Sequence, residues 1–220
     1  MNLAIFDLDN TLLAGDSDFQ WGQFLMEEGL LEREKHEARN IGFYEDYKAG
    51  RLDIYAFLEF QLKPLSDHPR ARLDELHKQY MARKVRPMMT EKARALVNQH
   101  KANGDLLMII TATNSFVTGP IAEEFGVDHL IGTDPEQVNG EFTGKVAGLP
   151  SFQEGKVTRL NDWLSARGKS LADFGTSWFY SDSHNDLPLM KCVSQPVAVD
   201  PDDILRAHAE QQGWPIISLR

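Results

Sequence analysis

Short apolar runs that each break abruptly into hydroxyl or acidic residues most narrow what this 220-residue chain can fold into. Residues 1–6, 106–110 (LLMII) and 178–180 (WFY) share the pattern, residues 196–199 form a fourth run, and residues 215–219 a weaker fifth. Continuous apolar runs of this length fit strands covered on both faces, as in parallel α/β sheets. Helical patterns separate them: residues 91–101 stop at Asn103-Gly104, 117–125 at Gly126, and 156–167 at Gly168. The alternation predicts an α/β fold, a doubly wound parallel sheet with right-handed crossovers.

Two stretches depart from it. Residues 131–146 hold Asn139-Gly140 between alternating runs, a β-hairpin signal. Residues 19–86 hold helical segments, many aromatics and no strand-like run. Their place, just after the first strand, predicts a helical lid over the carboxyl edge of the sheet. The expected organisation is a catalytic core of residues 1–15 plus 87–220 and a helical cap of residues 16–86.

Charge limits the partners. With 33 acidic against 23 basic residues the formal charge is −10, which repels nucleic-acid phosphates and anionic lipid. A small phosphorylated substrate stays open, because a local site can oppose the global field. Cys192 is the only cysteine, so no intrachain disulfide forms, which suits a reducing compartment. No stretch reaches the ~18 apolar residues of a membrane span. A soluble cytoplasmic protein is expected, with no membrane or nucleic-acid partner; the sequence does not specify an oligomeric state.

Each break carries candidate chemistry. Asp7-Leu8-Asp9-Asn10-Thr11 follows the first run, and in an open α/β sheet ligands bind beyond such strand ends. Asp7 and Asp9 have no basic neighbour in sequence, so a divalent cation is their natural partner. Asp182, Asn185 and Asp186 follow the third run and add two carboxylates and an amide. Hard oxygen donors without cysteine favour Mg2+ over zinc. Thr111, after LLMII, offers a hydroxyl and nearby amides for a phosphate oxygen. Lys156, preceded by Gly155 at a helix start, would offset phosphate and carboxylate charge.

FDLDNTL, Thr111, Lys156 and SDSHND resemble, in order, the four motifs of the haloacid dehalogenase (HAD) superfamily of phosphatases. The helical insertion after the first motif resembles the cap of the subgroup that contains phosphoserine phosphatase. The resemblance implies that Asp7 is the nucleophile, forming an aspartyl-phosphate, and that Asp9 is the general acid and then base. It further implies that Asp7, the Asp9 main-chain carbonyl and Asp182 hold magnesium. Asn185 and Asp186 would support the metal, and Thr111 would hold the phosphoryl group with Lys156.

Specificity is expected from Asp16 and Glu59. Asp16 falls where phosphoserine phosphatases have a glutamate facing the substrate ammonium. Counted without gaps from the AGRLD stretch, Glu59 falls where they have an arginine gripping the carboxylate. Exchanging that arginine for an acid turns attraction into repulsion, worth upward of about 1 kcal/mol in a dry pocket. The resemblance therefore implies a phosphate ester carrying cations and no carboxylate, with histidinol phosphate preferred and phosphoserine the alternative. A phosphotransferase and a non-catalytic phosphate-binding module are the readings from other classes.

Overall fold

The structure, a computed structural model, describes residues 1–220. Seven strands form one sheet: β1 (Leu3–Phe6), β2 (Leu106–Asn114), β3 (His129–Val138), β4 (Glu141–Ala147), β5 (Ser177–Ser181), β6 (Gln195–Val199) and β7 (Ile216–Ile217). Their order is β4-β3-β2-β1-β5-β6-β7, parallel throughout except for the antiparallel β3–β4 pair. Phe6 at the end of β1 is flanked by Ile109 of β2 and Tyr180 of β5. Asp7, Thr111 and Asp182 therefore emerge from neighbouring strands at the same edge. This is also where the strand order reverses, which opens a crevice beyond the carboxyl ends.

Helices α1 (Ser17–Glu27), α2 (Arg33–Lys48), α3 (Ile54–Ser66) and α4 (Arg70–Tyr80) follow β1, and α5 (Glu91–Ala102) leads into β2. The crossovers are completed by α6 (Ser115–Phe125), α7 (Glu154–Ser165), the single turn α8 (Leu187–Met190) and α9 (Asp203–Gln212). No helix is long and apolar enough to cross a membrane.

The apolar runs bury both faces of the strands, as their composition requires. Ala4 and Phe6 point into one cluster with Phe24, Leu62, Tyr80, Phe116 and Phe142. Leu3 and Ile5 point the other way, to Met108, Leu160, Leu164 and Phe179. The first cluster is continuous from the sheet into α1, α3 and α4, so those helices share their apolar core with it. In contrast, α2 buries only His36.

Asn139 and Gly140, at φ 53° and 85°, provide the two left-handed positions of a two-residue hairpin turn between β3 and β4. The hairpin packs on α3, and Glu141 accepts a hydrogen bond from the Arg70 amide. It therefore leans toward the helical layer. β2 runs further than its apolar stretch suggests, to Asn114. Thr111 thus lies inside the strand, and Asn114 caps α6 by accepting from the Val117 amide. The helix-start amides expected beside Thr111 begin further along the chain.

Candidate active site

The carboxyl edge gathers most of the residues singled out above. Lys156, in the first turn of α7 and buried, donates to Asp7 Oδ1 at 2.9 Å and Asp186 Oδ2 at 2.8 Å. Ser181 Oγ also donates to Asp186 Oδ2, at 2.7 Å. Asp7 has no basic neighbour in sequence, and the cation beside it comes from 149 residues away, in the charge-offsetting place expected of Lys156. Gly155 makes that approach possible, since a Cβ there would lie 2.2 Å from the Pro150 carbonyl oxygen.

Thr11, a motif residue to which the sequence reading gave no role, joins the two acidic loops. Its hydroxyl lies 3.2 Å from Asp7 Oδ2 and 3.0 Å from Asp182 Oδ1, and accepts from the Asp182 amide. One proton cannot serve both carboxylates. The hydroxyl instead spaces them.

Asp9 does not follow Asp7 along an extended chain. Leu8 keeps a helical backbone and Asn10 is left-handed at φ 55°, so the loop turns sharply. Asp9 Oδ1 then accepts from the Ser17 amide at 2.6 Å, and Oδ2 from Thr113 Oγ1 at 2.7 Å. Thr111 Oγ1 is 3.5 Å from the same oxygen. Thr113 was also missed; two-residue spacing along a strand, which puts 111 and 113 on one face, was its signal.

Burial dominates the electrostatics. Desolvation lifts Asp7 to about 7, although Lys156 pulls it down, and lifts Asp9 to about 6, with Asp16 adding repulsion. Asp182 is pushed well above its ordinary value by burial and by Asp7. Burial also works against the Lys156 cation, but Asp186 and Asp7 overcome it and raise its pKa. Asp7, Asp182 and Asp186 set three carboxyl groups around one ammonium.

Such a deficit suits a small hard cation. No three acidic, histidine or cysteine side chains converge closely enough to hold a metal by themselves. Magnesium needs only one or two carboxylates, since it keeps several waters. The oxygen-only donors Asp7 and Asp182, held apart by Thr11, fit that requirement.

A second acidic group lies on the side of α1. Asp16 caps this helix, its Oδ1 accepting from the Phe19 amide at 2.9 Å. Asp18, which the sequence reading passed over, is buried, and Gln61 of α3 donates to its Oδ2 at 2.6 Å. Burial, followed by repulsion from Asp16 and Asp9, raises the Asp18 pKa well above the carboxylate norm. None of the hydrogen-bond donors to Asp9, Asp16 or Asp18 is a lysine or arginine.

Glu59 is not among them. It is exposed on α3 in a stripe with Tyr55 and Lys63. Gln61, two residues on and so about 200° around the helix, is the residue that faces Asp18. His184 is partly buried and paired with Asp202 at 2.8 Å. Asp202 also receives the His184 amide and donates its own to the Asp182 carbonyl.

The chain is similar to known proteins along its whole length. The family model for haloacid dehalogenase-like hydrolases matches residues 4–191. A histidinol-phosphatase of Neisseria meningitidis serogroup C is 46% identical, over 100% of this chain and 99% of that protein. A phosphoserine phosphatase of Mycobacterium tuberculosis is 30% identical, over 99% of this chain and 70% of that protein. Among solved structures, a protein of unknown function from Bordetella pertussis Tohama I has a TM-score of 0.95 at 46% identity, covering 100% of this chain and 99% of that one. A substrate-bound phosphoserine phosphatase shares the fold, with a TM-score of 0.69 at 20% identity over 100% of this chain and 93% of that one.

Proposed function

Because the chain belongs to the haloacid dehalogenase-like hydrolases and is a phosphatase, we propose that it hydrolyses the phosphate monoester of a small cationic alcohol, histidinol phosphate, through an aspartyl-phosphate on Asp7. The observation that carries the substrate assignment is the uncompensated acidic group of Asp9, Asp16 and Asp18. A substrate amine or imidazolium supplies the missing charge, whereas a substrate carboxylate such as that of phosphoserine adds to the repulsion. The name of the Neisseria relative supports the same choice.

The residues divide the work as follows. Asp7 attacks phosphorus and displaces the alkoxide, splitting hydrolysis into two displacements. Lys156 holds the Asp7 carboxylate in place and opposes the negative charge that builds on the phosphoryl group. Asp9, oriented by the Ser17 amide and the Thr113 hydroxyl, protonates the leaving oxygen. It then takes a proton from the water that cleaves the intermediate. A pKa near 6 suits a group that must serve as acid and then base close to neutral pH. Asp7, Asp182 and the Asp9 main-chain carbonyl would hold magnesium, supported by Asn185 and Asp186, and the bound ion would neutralise phosphoryl charge. Thr111 would receive a phosphoryl oxygen. Residues 16–86 act as a cap that excludes bulk water from the intermediate.

A substrate panel with purified protein and magnesium tests the assignment. Histidinol phosphate should exceed phosphoserine in kcat/KM by at least tenfold, the equivalent of about 1.4 kcal/mol. Faster turnover of phosphoserine would reject it.

A further inference from the structure

Three side chains with no part in the scheme above converge on Asn185. Gln153 Nε2 donates to Asn185 Oδ1 at 2.7 Å. Ser183 Oγ accepts from the Asn185 amide at 3.2 Å and lies 3.4 Å from its Nδ2. Tyr47 OH, on α2, is 2.7 Å from Ser183 Oγ. Either hydroxyl can donate in the Tyr47–Ser183 bond. A continuous chain thus runs from the helical layer through the loop after β5 to the turn before Lys156.

Gln153 occupies an unusual position. Its φ of 49° and ψ of −122° lie where only glycine is comfortable. The chain has to turn there because α7 starts at the next residue and Gly155 presses on Pro150. Glycine would make the turn without strain. A glutamine there bears that strain, and its amide is committed to Asn185. Its neighbour Phe152 meets the Tyr47 ring at 6.4 Å between centroids, so both ends of the chain touch α2.

α2 is seated on α3 through rings, His36 and Phe43 against Phe57 and Phe60, and only lightly on the sheet. His36 is its one buried residue, and its charged side chains pair close by in sequence. The Tyr47–Ser183 bond is its one side-chain hydrogen bond to the loops of the sheet.

We propose that Gln153 is a positioning residue that fixes the Asn185 amide for phosphoryl transfer, and that Tyr47 completes the hold when α2 is seated. The cap and the catalytic loop are then coupled through Asn185. The inference rests on the reading of Asn185 as part of the phosphatase site.

Gln153→Gly separates this role from a purely structural one, because it relaxes the backbone while deleting the side chain. Its melting temperature should match or exceed the parent's. Its kcat should fall on the order of tenfold, as losses of supporting hydrogen bonds do, with KM little changed. Tyr47→Phe should lower kcat in the same sense. In 1H–15N spectra the Asn185 side-chain amide, identified by its loss in Asn185→Ala, should move in both variants. Parental kcat in Gln153→Gly, or an unmoved Asn185 resonance, overturns the proposal. Asp7→Asn, measured alongside, keeps the two readings apart: if it is inactive while Gln153→Gly is parental, only the positioning role falls.

Discussion

Lys156→Met tests how the buried charges are balanced. In the parent, the ammonium is flanked by Asp7 at 2.9 Å and Asp186 at 2.7 Å, with side-chain exposures of 4%, 9% and 4% respectively. Removing one partner of a buried pair costs about 3–5 kcal/mol. In a chain of this size each kcal/mol shifts Tm by roughly 2–4 °C, so a fall of about 6–20 °C is expected near pH 8. Methionine replaces the lysine stem, so little of that loss comes from a cavity. The size of the fall should depend on pH. Asp7 already sits at about 7, above the usual carboxylate value, and losing the lysine moves it higher. A carboxyl whose folded pKa is raised binds more protons folded than unfolded, so stability drops as pH rises toward the folded pKa, by up to about 1.4 kcal/mol per unit per proton. Near pH 5.5 Asp7 is protonated and the loss should be roughly half as large. Thermal melts of parent and variant in chelator at the two pH values measure this. Equal melting temperatures near pH 8, or a greater loss near pH 5.5, would refute the charge balance described above.

Other outcomes follow from the same geometry. Magnesium should raise Tm more near pH 7.5 than near pH 5.5, because Asp7, at about 7, is ionised and in need of a cation mainly at the higher pH, and the raised pKa of Asp182 acts in the same sense. A pH-independent increment in melts with and without the ion would count against those two ligands. Asp18→Asn keeps an oxygen for Gln61 but removes a desolvated charge. It should raise Tm near neutral pH by about 2–4 °C, for about 1 kcal/mol of relieved repulsion, and lower the preference for histidinol phosphate over phosphoserine. Glu59→Arg, on the exposed stripe of α3, should leave that ratio within about twofold and stability within about 0.5 kcal/mol. A swing toward phosphoserine in the kinetic panel would instead return Glu59 to the pocket.

What could be read from the residues alone divides along a physical line. The strands were legible because a run such as LLMII is buried on both faces and leaves no alternative. Asp7, Lys156 and Asp186 were legible by residue type, as each chemistry-bearing residue follows a strand or opens a helix. Their mutual contacts were not, since Lys156 reaches Asp7 through a fold-dependent turn at Gly155. Thr11 and Thr113 were overlooked because hydroxyls after a strand are common and only the sharp turn at Asn10 turns them to use. Asp18 escaped because a lone acid early in a helix reads as a cap residue; its burial depends on Gln61, 43 positions away. The cap face of Glu59 was the hardest to assign, since Leu58 and Leu62 mark a buried side without saying which neighbours point into the site.

Burst kinetics with Asp9→Ala and p-nitrophenyl phosphate probe the nucleophile most directly. The aryl leaving group departs without an acid, whereas cleavage of the intermediate loses its base. The expected trace is a burst of one p-nitrophenol per site, then slow turnover, with a phosphoryl mass increment on the peptide that contains Asp7. Linear release without a burst at the parent's rate, or the same burst in an Asp7→Asn/Asp9→Ala protein, would contradict attack by Asp7.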